Sequence, residues 1–136
     1  SSPVTDWRNY DTIYTERYMR TPQENPDGYD EGSCLTYVEQ LSGKLLLMHG
    51  MVDDNVHPSN SWQLVHALQV AQKPFSMVFF PNFAHRLGKT VRPLRWEFLY
   101  EHLIGDEGGS VMAGRGDEAT ERRRSIGAAS GGVRRP

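Results

Sequence analysis

Asp53, Asp54, Asn55 and His57 crowd into the few positions after the apolar run 44–49, KLLLMH, and His85 follows a second apolar run, 75–80. A carboxylate and an imidazole leaving neighbouring buried segments can form a proton-relay pair. The carboxylate accepts the imidazole Nδ1–H, fixes the tautomer, and stabilises the imidazolium formed when Nε2 takes a proton. On residue types alone two other readings stand beside this one. Asp53 could cap the following helix while His85 is a polar loop residue. Alternatively, Asp53, Asp54, His57 and His85 could offer oxygen and nitrogen to a cation, although no HExxH or other helix-spaced ligand pair occurs. No serine stands in a G-x-S-x-G context: Ser33 lies in DEGSCLT, Ser42 in QLSGK, and Ser59 and Ser61 in PSNSW. Cys34, the only cysteine, reads as a small packed residue.

These side chains need elements to carry them. Residues 44–49 and 75–80 are short enough and apolar enough to be buried strands. Between them, Pro58 and Ser59 open a helix that runs to about Gln72. Its Trp62, Val65, Leu68 and Ala71 predict a buried stripe, and Pro74 ends it. A closing helix runs from about Leu94, with Trp96, Leu99 and Leu103 as its apolar face. Strand, helix, strand, helix is the order of a parallel α/β sheet with a right-handed crossover. The loops 50–58 and 81–88 then share the carboxyl edge, where such sheets present reactive groups. The order Asp then His, with a serine earlier, is that of α/β-hydrolase triads. Upstream, Tyr10, Tyr14 and Tyr18 at fours predict one helical face, 21–33 a loop, and 34–42 a short helix. Residues 106–136, rich in Gly, Ser, Ala and Arg, lack the apolar content for a core and predict a disordered tail behind a domain of 1–105. The run ERRR at 121–124 reads as a solvated charge cluster.

Composition narrows the classes. The 136 residues suit one domain, and 38% hydrophobic content suits a packed core. A net charge of -2 gives no electrostatic footprint for nucleic acid. No apolar run approaches the roughly 20 residues that span a bilayer. A single cysteine allows neither an internal disulfide nor a thiolate zinc cluster. Periplasmic, extracellular and cytoplasmic locations all remain compatible. The opening SSPVTDWRNY resembles a strand leaving into a polar loop, which predicts a chain that continues upstream.

Three blocks go further: PVTDWRNYDTIYTERYMRTPQENPDGY, LLLMHGMVDDNVH and FPNFAHRL. Together they resemble the C-terminal end of the dipeptidyl peptidase IV group of serine peptidases, within the prolyl oligopeptidase superfamily, over about residues 3–105. The resemblance implies the C-terminal part of an α/β-hydrolase domain, in an enzyme that removes N-terminal dipeptides with Pro or Ala second and uses no cofactor or metal. It assigns Asp53 and His85 to the triad. Asn55 would hold the substrate's penultimate carbonyl; endopeptidase members usually carry Arg there. Val56, Val4, Trp7 and Tyr14 would wall a proline-sized pocket, and Tyr10 would line it and touch the substrate amine. A proline ring is flat, apolar and rigid, so aromatic faces and a valine grip it with little entropy loss. Tyr18 is expected to pack on the core, and His49, His66 and His102 to have packing or surface roles. The nucleophile, an oxyanion tyrosine and the propeller glutamates are expected outside this sequence. Other readings are an endopeptidase or acylaminoacyl-peptidase branch and a non-catalytic hydrolase-fold interaction protein. A homodimer through the helix at 94–104 also follows from the resemblance. One departure is His85-Arg86, where the family has His-Gly.

Overall fold

The computed structural model describes residues 1–104, and the tail expected at 106–136 lies outside them. The chain divides after Phe98 into two units, and the site described below lies in the first. In chain order the elements are a 3₁₀ turn at Trp7–Asn9, helices α1 (Thr12–Met19) and α2 (Pro26–Glu31), and a 3₁₀ helix at Cys34–Gln40. Strand β1 (Leu46–Gly50), helix α3 (Ser59–Val70), strand β2 (Ser76–Phe80) and helix α4 (Arg92–Leu103) complete the series. The class is α/β. Strands β1 and β2 run parallel, with Leu46 opposite Ser76 and Gly50 opposite Phe80, and α3 makes the crossover.

Alternation along β1 divides the core between the two faces of the sheet. Met48 joins Phe80, Leu87 and Val91 on one face, with Leu46, Val78, Phe83 and Leu94 packed around them. Leu47 joins Leu64 and Leu68 of α3 on the other, supported by Leu35, Val38, Leu41, Leu45, Val65 and Phe75. A strand covered on both sides needs a continuous apolar run, which explains why LLLM carries no polar alternation.

The register of α3 differs from the expected stripe. Its buried positions are Asn60, Ser61, Leu64 and Leu68, with Val65 half-buried, whereas Trp62 is 45% exposed. Steps of three fall short of the 3.6-residue turn, so a series at 62, 65, 68 and 71 drifts around the helix. The true face alternates threes and fours. Helix α2 replaces part of the loop expected at 21–33. Asn25 caps it by accepting the Gly28 amide, Pro26 occupies the first turn, and Tyr29 is buried beneath the Arg8 guanidinium, 5.3 Å from the ring centroid. The expected tyrosine face is also revised. Tyr10 precedes α1 as the cap of the 3₁₀ turn, and Tyr18, at 68% exposure, is no core residue. Trp96, expected on an apolar face of α4, is 63% exposed. Among the described residues no helix is long and apolar enough to cross a membrane.

Candidate active site

The loops leaving β1 and β2 are joined through their backbones. Met51 N–H donates to the Phe80 carbonyl at 2.9 Å and Val52 N–H to the Phe83 carbonyl at 3.1 Å. Gly50 permits this approach, because a Cβ there would collide with the carbonyl oxygens of Phe83 and Ala84. A third segment joins from the N-terminus. Ser2 N–H donates to the Met48 carbonyl at 2.8 Å, and Ser2 Oγ–H donates to the His85 carbonyl at 3.1 Å.

Asp53 sits in the turn so formed, its side chain fully buried. Its Oδ1 accepts the amides of Asn55 at 3.0 Å and Val56 at 2.9 Å. Its Oδ2 accepts from His85 Nδ1 at 3.0 Å. Burial alone would raise the carboxyl pKa. The Val56 amide, His85 and the Asn55 amide outweigh it, so the carboxyl is held below its ordinary value and is anionic at neutral pH. The His85 side chain is 41% exposed. With Nδ1–H directed at a carboxylate, a neutral imidazole leaves Nε2 as its acceptor, the tautomer a general base requires. Burial thus fixes the carboxylate while the imidazole faces outward.

Around this pair the pocket candidates assemble in part. Tyr10 O–H donates to Asn55 Oδ1 at 3.3 Å, bringing those two together. Trp7, Tyr10 and Tyr14 pack mutually: Trp7 and Tyr10 meet edge to face at 5.8 Å, Trp7 and Tyr14 stack at 6.4 Å, and Tyr10 and Tyr14 meet edge to face at 5.8 Å. Tyr18 extends this row onto Tyr14 at 5.1 Å. An open cleft of about 390 Å³ is lined by Tyr10, Asp11, Ile13, Tyr14, Arg17 and Tyr18. Val4, Trp7 and Val56 lie outside that lining. Val56 is buried, and Val4 is half-buried.

The four residues considered as cation ligands do not gather at one point: Asp53 and His85 are bonded to each other. Asp54 is exposed, His57 Nδ1 meets Ser59 Oγ at 3.0 Å, and among the described residues no three His, Cys, Asp or Glu converge on a cation-sized site.

Two residues outside the expected set organise the region. Asn60, fully buried, accepts the Thr5 amide at 3.1 Å and donates to the Asn9 carbonyl at 3.2 Å. It thereby staples the aromatic segment to the first turn of α3. His49, expected to pack or lie on the surface, is fully buried, and its Nε2 stands 3.2 Å from Asp53 Oδ2. Its one available sequence signal is the i, i+4 spacing to Asp53 across a strand end.

The prolyl oligopeptidase family of peptidases matches residues 1–103. A Neurospora crassa protein named a probable dipeptidyl-aminopeptidase B is 54% identical over 87 residues, covering 62% of this chain and 9% of that protein. Its namesake in Phaeosphaeria nodorum is 51% identical over 89 residues, covering 63% of this chain and 10% of that protein. The crystal structure of Porphyromonas gingivalis dipeptidyl peptidase 4 superposes with a TM-score of 0.69 at 43% identity, over 75% of this chain and 15% of the other. The shared architecture is the C-terminal part of an α/β-hydrolase fold. This chain spans about a tenth of the length of the curated relatives it matches.

Proposed function

Because this chain belongs to the prolyl oligopeptidase family, we propose that it supplies the acid and the base of a serine exopeptidase that releases N-terminal dipeptides with Pro or Ala second. The observation that carries this reading is the 3.0 Å hydrogen bond from the exposed imidazole of His85 to the buried carboxylate of Asp53. The relatives named dipeptidyl peptidases and aminopeptidases support the substrate class.

In the complete enzyme, His85 Nε2 takes the proton of a serine hydroxyl as its oxygen attacks the carbonyl after the second substrate residue. His85 then returns that proton to the departing amine, and the cycle repeats with water. Asp53 keeps the proton on Nδ1 and stabilises the transient imidazolium without itself being protonated. The serine comes from residues beyond this sequence, which holds no G-x-S-x-G. Asn55 directs its amide to the substrate's penultimate carbonyl, and Tyr10 contacts the substrate amine. Trp7, Tyr14, Val4 and Val56 bound the space for the second side chain.

The test is dipeptide release from a Gly-Pro reporter by the full-length enzyme. Asp53→Asn is expected to lower kcat by about 10⁴ through loss of the oriented tautomer, and His85→Ala to lower it at least as far. Near-normal turnover by either variant refutes the assignment.

A further inference from the structure

His49 is the one fully buried imidazole beside the relay pair, and nothing in the mechanism above uses it. A ring enclosed that completely must satisfy both nitrogens internally. Nε2 faces the Val56 carbonyl at 2.9 Å. That oxygen can only accept, so Nε2 carries a proton. The same nitrogen lies 3.2 Å from Asp53 Oδ2. On the other side, Nδ1 and Ser61 Oγ are 2.6 Å apart, so in the neutral ring the Ser61 hydroxyl donates to Nδ1. Ser61 is itself fully buried in the first turn of α3.

The consequence is mechanical and electrostatic. Val56 gives its N–H to Asp53 Oδ1 and its carbonyl to His49, so the turn carrying the carboxylate is held from both sides of one residue. The His49 N–H dipole lies beside the oxygen that faces His85. We propose that His49, oriented by Ser61, is a positioning residue that fixes the direction in which Asp53 presents Oδ2 to His85. It touches neither substrate nor reacting atoms. The assignment rests on the reading of Asp53 and His85 as acid and base.

The experiment compares His49→Gln with His49→Asn in the full-length enzyme on the Gly-Pro reporter. Gln places an amide N–H near the position of Nε2, whereas Asn reaches only the position of Nδ1. His49→Gln is expected to keep kcat within about threefold, and His49→Asn to lose about tenfold or more with KM changed less than about twofold. In an Asp53→Asn background the His49→Asn change is expected to shrink below about twofold, since the two residues act through one carboxylate. A residue that only packs would lower both variants alike, and its cost would persist without Asp53.

Equal losses in Gln and Asn, full kcat in His49→Asn, or an undiminished loss in the Asp53→Asn background each overturn the assignment. Should both His49 variants misfold, Ser61→Ala removes a single oxygen and is expected to lower kcat about threefold at unchanged KM; unchanged kcat there overturns the proposal. A wild-type enzyme that releases no dipeptide overturns the exopeptidase reading as well, whereas an active wild type with an indifferent His49 overturns this inference alone.

Discussion

Asp53 and His85 illustrate what burial does to two titratable groups that share a hydrogen bond. The carboxylate is enclosed, yet two amides and an imidazole N–H more than offset the cost of keeping it charged. Its pKa in the folded chain lies below its unfolded value, which sets the sign of the linkage. The group contributes stability above its unfolded pKa, and the contribution disappears as pH falls through the folded value. Wild type is therefore expected to exceed Asp53→Asn in stability at neutral pH, with the gap closing as pH falls through the ordinary carboxylate range and below it. Denaturant unfolding followed across that range checks this; a constant gap would contradict it. The types of these two residues and their places after apolar runs were readable in the sequence. The hidden part was His49, because a histidine inside an apolar strand reads as filler until its neighbours in α3 and the following turn are known.

Elements decide whether those side chains meet. The strands and the crossover were legible because an enclosed strand leaves an unbroken apolar run, and Pro58 and Pro74 punctuate the helix between them. Which face of α3 turns inward was less legible, since Trp62 is apolar and yet exposed. Leu68→Ala is expected to lower unfolding free energy by about 2–5 kcal/mol. Trp62→Ala should cost less than about 1 kcal/mol, as surface changes usually do. Reversal of that order in urea unfolding would restore the stripe at threes. Helix α2 escaped notice for a local reason: Asn, Pro, Asp and Gly are turn formers singly, while Asn25-Pro26 in sequence is a cap followed by a first turn. Gly50 belongs to this scale too. Gly50→Ala inserts a methyl group against two carbonyl oxygens of the β2 loop, at an expected cost of about 1–3 kcal/mol. It should lower kcat through displacement of His85, and unchanged kcat and midpoint would show that the loops separate freely.

At the scale of the molecule, the chain brings together the bonded pair Asp53–His85 and the aromatic group Trp7, Tyr10 and Tyr14, with no serine in a G-x-S-x-G context. The 136 residues alone are expected to hydrolyse no Gly-Pro reporter; hydrolysis that a serine-directed phosphonate leaves unblocked would count against the proposed mechanism. The parallel order of elements was legible from the sequence, because crossovers have a fixed hand and bring both strand exits to one edge. The Ser2 and Asn60 tethers were not, since they join segments far apart in the chain through a few polar atoms. The seam between the two exit loops has a last consequence. Met51 and Val52 are tied across by their peptide groups, so their side chains are free to drift without moving the imidazole. Proline alone is barred at those two positions, because it would bring no proton to the seam.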